Sequence, residues 1–110
     1  MTAPRKALVR NLITSLVTVG AVKTTKPRAR VLAAQFDELV TGVRRQKEAR
    51  EQIRFVKQTL FTEESQRAFF DRVLPALESR KSGFTRSALL GPRKGDAAEI
   101  VHIEICSETR

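Results

Sequence analysis

The chain has 110 residues, of which 41% are hydrophobic and 30% charged, and its formal net charge is +9 at pH 7. A chain of this length is expected to form a single domain over residues 1–110 and to bury roughly two-thirds of the surface exposed when unfolded. The single cysteine, Cys106, excludes an internal disulfide and a cysteine-rich metal site. No signal peptide is recognisable and no apolar run approaches the ~20 residues that span a membrane, so an intracellular protein without a membrane partner is expected.

The positive charge is distributed unevenly along the chain. Residues 1–36 contain seven Lys and Arg residues, residues 79–95 contain five, and neither segment contains an acid. A surface adapted only for solubility intersperses its two signs of charge. The acid-free segments therefore favour a protein that binds a phosphate backbone, with a solvated basic face as the alternative.

An amphipathic helix is predicted from Thr2 or Ala3 to Val19. Gly20 suits the position that follows a helix C-terminus, and a short strand over Ala21–Lys23 comes next. An acid-free amphipathic N-terminus that carries arginine also describes a mitochondrial transit peptide. We place that interpretation second because cleavage would remove much of the hydrophobic material. The apolar stripe expected to face the core comprises Leu8, Val9, Leu12, Ile13, Leu16, Val17 and Val19.

The second helix is predicted from about Pro27 to Val40 or Thr41. Thr25 is a suitable N-cap, and proline suits the first turn because its missing N–H would be unpaired there anyway. Gly42 can end this helix.

Four cations surround the start of the second helix, and no acid lies near them in the sequence. Helix N–H groups and adjacent cations together attract phosphate, whereas cations at a helix start oppose the helix dipole. An external polyanion is therefore the expected partner of this junction. The four residues are Lys23, Lys26, Arg28 and Arg30.

Two more helices are predicted before the C-terminal strands. A highly charged helix runs from Arg44 to Thr59, and the fourth follows Thr62, an N-cap with two glutamates in the first turn. Pro75 should kink or close the fourth helix. From the second, third and fourth helices, the residues expected on apolar faces are Ala29, Leu32, Phe36, Leu39, Val40, Ala49, Ile53, Val56, Leu60, Phe69, Phe70, Val73, Leu74 and Leu77.

The C-terminal part is predicted to form an antiparallel hairpin. Phe84–Leu90 and Glu99–Cys106 are the strands, and the loop Gly91–Asp96 has turn residues at both ends. In the second strand, apolar and polar residues alternate as in a half-buried strand. The order α-β-α-α-α-β-β indicates a two-layer α+β domain, with helices packed on one face of a small mixed three-stranded sheet.

The residue inventory argues against catalysis. The chain has one histidine and no tyrosine or tryptophan. We interpret His102 as a strand residue, Cys106 as a small packed hydrophobe, and Glu63 and Glu64 as helix-start residues. No phosphate-loop, zinc or nucleophile-elbow pattern occurs, so we expect no enzyme, no cofactor and no metal site.

The aromatic residues restrict the mode of nucleic-acid recognition. All six are phenylalanine, and those at 36, 69 and 70 belong to helical core stripes. Phe55 and Phe61 are not assigned. Phe84 is the best candidate for a base or ribose contact, with the core face of the strand as its alternative. Because no recognition helix stands out either, the features favour binding of a folded RNA by charge and shape.

Seven runs of residues along the chain form recognisable motifs: Arg10-Asn-Leu, Ser15-Leu, Val22-Lys-Thr-Thr-Lys-Pro-Arg-Ala-Arg30, Asp37-Glu-Leu-Val-Thr41, Gly83-Phe-Thr-Arg86, Gly91-Pro-Arg-Lys-Gly-Asp96 and Val101-His-Ile-Glu104. In order and over nearly the whole chain, these runs resemble the bacterial-type ribosomal protein L17 family of the large subunit.

The resemblance implies the same α-β-α-α-α-β-β fold in a structural constituent of the large ribosomal subunit. It implies binding to ribosomal RNA on the peptide exit tunnel side, next to neighbouring ribosomal proteins. The protein would support assembly and translation in the cytoplasm, as a monomer within the ribosome; an organellar ribosome is the second interpretation. Family members usually begin with a longer basic tail, most of which this sequence lacks.

The RNA-binding residues expected on this basis fall into two groups. Matching motifs imply roles for Lys23, Arg28, Arg30, Arg10, Arg86, Arg93 and Lys94, and charge and position add Arg5, Lys6, Lys26, Arg80 and Lys81. Two alternatives remain open from the residues alone. One is a free-standing DNA- or RNA-binding regulatory protein, and the other is a helical interaction protein with a membrane-surface N-terminal helix.

Overall fold

The computed structural model describes residues 3–81, 83–92, 95 and 98–106, with side chains from residue 9 onward. Its elements follow the predicted order and confirm the α+β class. The helices are α1 (Ala3–Val19), α2 (Lys26–Arg45), α3 (Ala49–Lys57) and α4 (Glu63–Ala68), and α4 continues through a π-helical turn (Phe69–Val73) into a last short turn, α5 (Leu74–Ala76). The strands are β1 (Ala21–Thr25), β2 (Thr85–Pro92) and β3 (Glu99–Ile105).

The sheet has the strand order β1-β3-β2, and both pairings are antiparallel. The expectation of a mixed sheet was therefore wrong. β1 and β2 do run in the same direction, but β3 lies between them and pairs with each. The β2–β3 hairpin places its second strand next to β1, so no parallel ladder forms.

The helices pack on one face of this sheet. Val101 and Ile103 of β3 face the helices and are buried, whereas His102 and Glu104, the alternate residues, lie on the open face. The buried core is formed by Ile13, Leu16, Val17, Leu32, Phe36, Leu39, Val40, Val43, Val56, Leu60, Ala68, Phe69, Val73, Leu77, Phe84 and Ile103. β2 extends beyond the helix layer, and its residues 86–90 are exposed.

The predicted apolar stripes are largely confirmed, with three exceptions among the described side chains. All five residues expected on the inner face of α2 are buried. Val19, however, is 74% exposed at the end of α1, and Ala49 and Ile53 are exposed on α3, Ile53 at 43%. Gly20 follows α1 with a positive φ of 104°, and its N–H bonds the Leu16 carbonyl at 2.8 Å, as expected for a residue that ends a helix.

Gly42 does not end α2, which continues to Arg45. The glycine lies inside the helix because the ring of Phe55, from α3, packs against it where a side chain would otherwise stand. α3 is correspondingly shorter than the predicted 44–59. The glycine thus marks a close contact between two helices rather than a helix end.

The caps of the fourth helix agree with the prediction. Thr62 Oγ1 accepts a hydrogen bond from the Ser65 N–H at 3.2 Å, and two glutamates occupy the first turn. The helix ends at Ala76, one residue after Pro75. In the part of the chain that the structure describes, no helix is both long and apolar enough to cross a membrane.

Candidate nucleic-acid interface

The β1–α2 junction presents backbone N–H groups and positive charge together. β1 ends at Thr25, which occupies the N-cap position in an extended conformation, and its hydroxyl makes no capping hydrogen bond. The first turn of α2 contains a proline and no acid. The helix start is therefore left open to an external anion, which is the arrangement found where helix N-termini bind phosphate.

Lys26 and Arg30 lie one helical turn apart on the same flank of α2. They line a shallow groove together with Thr25, Pro27, Ala98 and Glu99. Lys26 Nζ is 3.6 Å from Glu99 Oε1, and each side chain is about half exposed, at 48% and 49%. An exposed pair at this distance contributes little to stability, so Lys26 can exchange this carboxylate for a phosphate at small cost.

Arg28 and Lys23 point to other sides of the junction. In a helix of 3.6 residues per turn, Arg28 is rotated about 160° from Arg30, so the two arginines flank the start of α2. Lys23 lies on the open face of the sheet, directly opposite His102 of β3. All three cations are exposed, and no hydrogen bond or ion pair engages them in the part of the chain that is described. The junction is thus surrounded by positive charge rather than marked by one tight cluster.

Arg86 is held by an internal partner. It lies opposite Glu104 in the sheet register, and its Nη2 is 2.8 Å from Glu104 Oε2. His102 Nε2 is 3.2 Å from the other carboxylate oxygen of the same glutamate. Hydrogen bonding to Arg86, and then to His102, lowers the pKa of Glu104. Arg86 therefore contributes to a charge-balanced cluster on the open face, and its role in RNA binding stays a prediction.

The turn after the fourth helix is stabilised by hydrogen bonds from arginine side chains to backbone carbonyls. Arg44 of α2 donates to the Leu77 and Arg80 carbonyls, and its guanidinium stacks 5.0 Å from the ring centroid of Phe84. Arg80 is half-buried and donates to the Gly83 carbonyl, whereas Lys81 is exposed. The sequence around Arg44 predicts no role for it, because nothing in the local pattern points to carbonyls 33 and 36 residues away.

Phe84 is 1% exposed and belongs to the core, so the alternative interpretation, the core face of the strand, is confirmed and the ring is not available to a base or ribose. The exposed aromatic residue is Phe61, at 59%, in the segment between α3 and α4. The Arg10 guanidinium of α1 lies 4.9 Å from its ring centroid. The sequence contains a local indication that this ring is exposed. Phe61 directly precedes the N-cap, and the residue that it would contact in a hydrophobic staple is the polar Gln66.

The remaining predicted site residues are only partly covered by the structure. Arg5 and Lys6 lie within α1, but their side chains are outside the described part, and Arg93 and Lys94 fall outside the described residues altogether. The structure therefore brings Lys23, Lys26, Arg28 and Arg30 around one junction. Arg80 and Arg86, in contrast, bond to other residues of the fold, the Gly83 carbonyl and Glu104 respectively.

Comparison with known proteins relates these features to one family. The family pattern described as Ribosomal protein L17 matches residues 8–106. Relatives named large ribosomal subunit protein bL17 from Clostridium beijerinckii and Clostridium tetani are each 38% identical over 106 residues. The protein of that name from Desulforamulus reducens is 36% identical over 104 residues. Each alignment covers 94% of this chain and 90% or 91% of the relative.

Proposed function

Because this chain belongs to the ribosomal protein L17 family and is a structural constituent of the large ribosomal subunit, we propose that it binds large-subunit ribosomal RNA through the β1–α2 junction. Family membership makes it a structural component rather than an enzyme. In bacteria such a component works in the cytoplasm, within the ribosome. The junction is defined by Lys23, Lys26, Arg28, Arg30 and the first turn of α2.

One observation carries the proposal: Lys23, Arg28 and Arg30 are exposed and have no acidic partner in the described part of the fold. Unpaired cations at a helix start are locally unfavourable for the helix, and a phosphate on the open N–H groups removes that conflict. Arg28 and Arg30, on opposite flanks of α2, are suited to contact phosphates on two sides of the helix start. Such contacts release counterions and fix the orientation of the protein on the RNA.

The location within the subunit is part of the same proposal. The family resemblance favours the side around the peptide exit tunnel, beside neighbouring ribosomal proteins. The rigid two-layer body would fill the space between RNA helices there and support assembly. A map of the large subunit containing this chain, obtained by electron cryomicroscopy, would test the location directly.

The test of function is sedimentation of the tagged protein from gently lysed cells through a low-salt sucrose gradient. We expect stoichiometric amounts in the large-subunit and whole-ribosome peaks, with release only at high salt. Protein that stays at the top of the gradient would contradict the proposal. Binding to plain duplex DNA should then be measured, since a free-standing regulatory protein would use the same cations.

The junction is tested by the double variant Arg28→Glu, Arg30→Glu. We expect it to be depleted from the large-subunit peak by tenfold or more, with the circular-dichroism spectrum unchanged, because both side chains are exposed. The matched control is Arg50→Glu, Arg54→Glu on α3, which changes the net charge equally and also alters exposed arginines. Equal depletion of the two variants would show that net charge, and not the junction, determines binding.

A further inference from the structure

We propose that Phe61, together with Arg10 and Lys57, forms a stacking site for one unpaired nucleobase of an RNA. This inference rests on the proposed function, because it assumes that the partner is RNA. It adds a contact of a different kind, because the β1–α2 junction binds phosphates and the Phe61 site would bind a base. It also places the aromatic contact at Phe61 rather than at Phe84, the candidate that the sequence offered with the core face of the strand as its alternative.

The exposure of Phe61 has no explanation in the packing of the fold. The ring directly precedes the N-cap Thr62, where an apolar residue ordinarily packs against the fourth residue of the helix. That residue is Gln66, whose amide instead donates to the Leu60 carbonyl at 2.7 Å. The ring is therefore not required to fix the entry of the helix, and 59% of it remains accessible.

The surroundings of the ring favour an anionic, aromatic-binding partner. Arg10 covers part of the ring with its guanidinium, 4.9 Å from the centroid, and Lys57 lines the adjoining groove with Glu63 and Gln66. The one acid in the groove, Glu63, is 3.9 Å from Arg67 on the next turn. Two cations thus flank the ring, which matches the phosphates on either side of a splayed-out nucleotide.

The chemistry of the groove fits a base better than an apolar peptide side chain. Every nucleobase has a π-face that stacks on an aromatic ring, and the arginine over one face of the Phe61 ring leaves the other face for a base. The Gln66 Oε1 atom accepts no hydrogen bond from the described residues, while its amide nitrogen is fixed by Leu60. Because Gln66 lines the same groove as Phe61, this oxygen would be available to an exocyclic amino group, which predicts a preference for adenine, cytosine or guanine over uracil.

The site lies apart from the β1–α2 junction. The groove at Phe61 and the groove at Lys26 and Arg30 have no lining residue in common. A phosphate contact at the junction and a base contact at the Phe61 site would together fix both the position and the direction of the protein on its RNA. Charge at the junction alone cannot set direction in this way.

The first test compares Phe61→Ala, Phe61→Leu and Phe61→Trp in binding to protein-free large-subunit ribosomal RNA. We expect the alanine variant to bind about tenfold weaker or more, the leucine variant to be nearly as weak, and the tryptophan variant to bind at least as well as the parent. The salt dependence should not change, because no cation is removed. Leu89→Ala is the matched control, because Leu89 is an equally exposed apolar residue, at 58%, on β2.

The second test uses the absence of tryptophan from the sequence. Phe61→Trp introduces the only tryptophan, whose emission should be quenched when ribosomal RNA binds, whereas Leu89→Trp should respond weakly. The tryptophan variant keeps an aromatic ring, so this readout remains available even if Phe61→Ala unfolds.

Three outcomes would overturn the inference, and they are distinguishable. If Phe61→Ala binds ribosomal RNA normally and in a salt-dependent way, the stacking site is refuted and the proposed function stands. If RNA binding is normal but incorporation into the large subunit falls, the ring contacts a neighbouring protein instead of a base. If the parent protein itself fails to bind ribosomal RNA, the inference and the proposed function fail together.

Discussion

Asp37 has an unfavourable environment for an ionised side chain. It lies on α2 and accepts a hydrogen bond from the Phe84 N–H, which lowers the pKa of its carboxyl group, but the larger effect of burial raises that pKa above 3.8. One carboxylate oxygen, Oδ1, is buried without a hydrogen-bond partner in the described part of the protein. Between the unfolded and folded pKa values the native state binds more protons, so stability falls as pH rises through this window.

We therefore expect Asp37→Asn to stabilise the protein at pH 7, by about 0.5 kcal/mol or more, because the amide keeps an acceptor for the Phe84 N–H and removes the buried charge. Urea denaturation at pH 7 and near pH 4 measures the effect, and the gain should shrink at the lower pH. Glu104→Gln is the opposite control. The lowered pKa of Glu104 gives stability that is present above about pH 4.5 and lost as pH falls. A destabilised Asp37→Asn at pH 7 would show that the carboxylate is needed as an ion.

The arginines illustrate why single residues were hard to assign from sequence. Arg28 and Arg30 point outward at the junction, whereas Arg44 bonds carbonyls near the end of the fourth helix, and Arg72 donates to the Thr18 carbonyl at 2.9 Å. These internal partners lie 33 to 54 residues away in the chain. Charge and local pattern carry no information about such contacts, so the sequence could not identify Arg44 or Arg72 as structural.

Among the elements, α2 and α3 are joined by a close contact at Gly42. A methyl group at this position would overlap the Phe55 ring. In an open helix position, Gly→Ala would stabilise by up to about 1 kcal/mol through helix propensity. The sign of the change in the free energy of unfolding on Gly→Ala therefore distinguishes a glycine packed against a neighbour from one at an open helix position.

We expect Gly42→Ala to destabilise the protein by about 1 kcal/mol or more, because overpacking at the α2–α3 contact exceeds the gain in propensity. Chemical denaturation of Gly42→Ala, Phe55→Ala and the double variant would measure the coupling between the two positions. In the double variant the added methyl group should cost less than it does beside the intact ring. If Gly42→Ala alone stabilised the protein, the Phe55 ring would have to move away without loss, and the contact would not be specific.

The elements themselves were largely predictable, and their ends were less so. Periodicity located the inner face of α2, and the Thr62-Glu63-Glu64 run located the start of the fourth helix, because both signals are local. The end of α2 was missed because Gly42 has the local signature of a helix end, and the contact with Phe55 that explains it forms only in the folded protein. The sheet is antiparallel because β3 lies between β1 and β2. The position of β3 is a property of the whole topology, and no local sequence signal indicates it.

At the scale of the molecule, the fold is a flat slab with dimensions of 48 × 39 × 21 Å. The smallest dimension corresponds to a sheet and one layer of helices. All the acidic residues lie outside the two acid-free segments, 1–36 and 79–95. Several of them, such as Glu99 and Glu104, pair with cations that are close to them in the fold. Among the described residues, exposed cations without an acidic partner also lie at the end of α2 and on α3, for example Arg45 and Lys57. The β1–α2 junction differs from these because it combines such cations with the open N–H groups of a helix start.

The net charge leads to a prediction for the complete protein, measured on isolated large-subunit ribosomal RNA. If about six phosphates are neutralised, the affinity should fall by roughly three orders of magnitude between 50 and 200 mM salt, with duplex DNA as the guide for the slope. The double variant Arg28→Gln, Arg30→Gln removes two phosphate contacts. The slope of the logarithm of the binding constant against the logarithm of the salt concentration should therefore become shallower by about two. The parent and the variant should converge at high salt, where counterion release contributes little.

A variant at the Phe61 site separates the two kinds of contact in the same experiment. Phe61→Ala removes no charge, so its affinity curve should run parallel to that of the parent at every salt concentration, displaced to weaker binding. The affinity curve of the junction variant, Arg28→Gln, Arg30→Gln, should instead approach that of the parent as the salt concentration increases. Nearly salt-independent binding by the parent would mean that phosphate contacts do not dominate. In that case the exposed cations of the junction would need another role, such as contact with an acidic surface of a neighbouring protein.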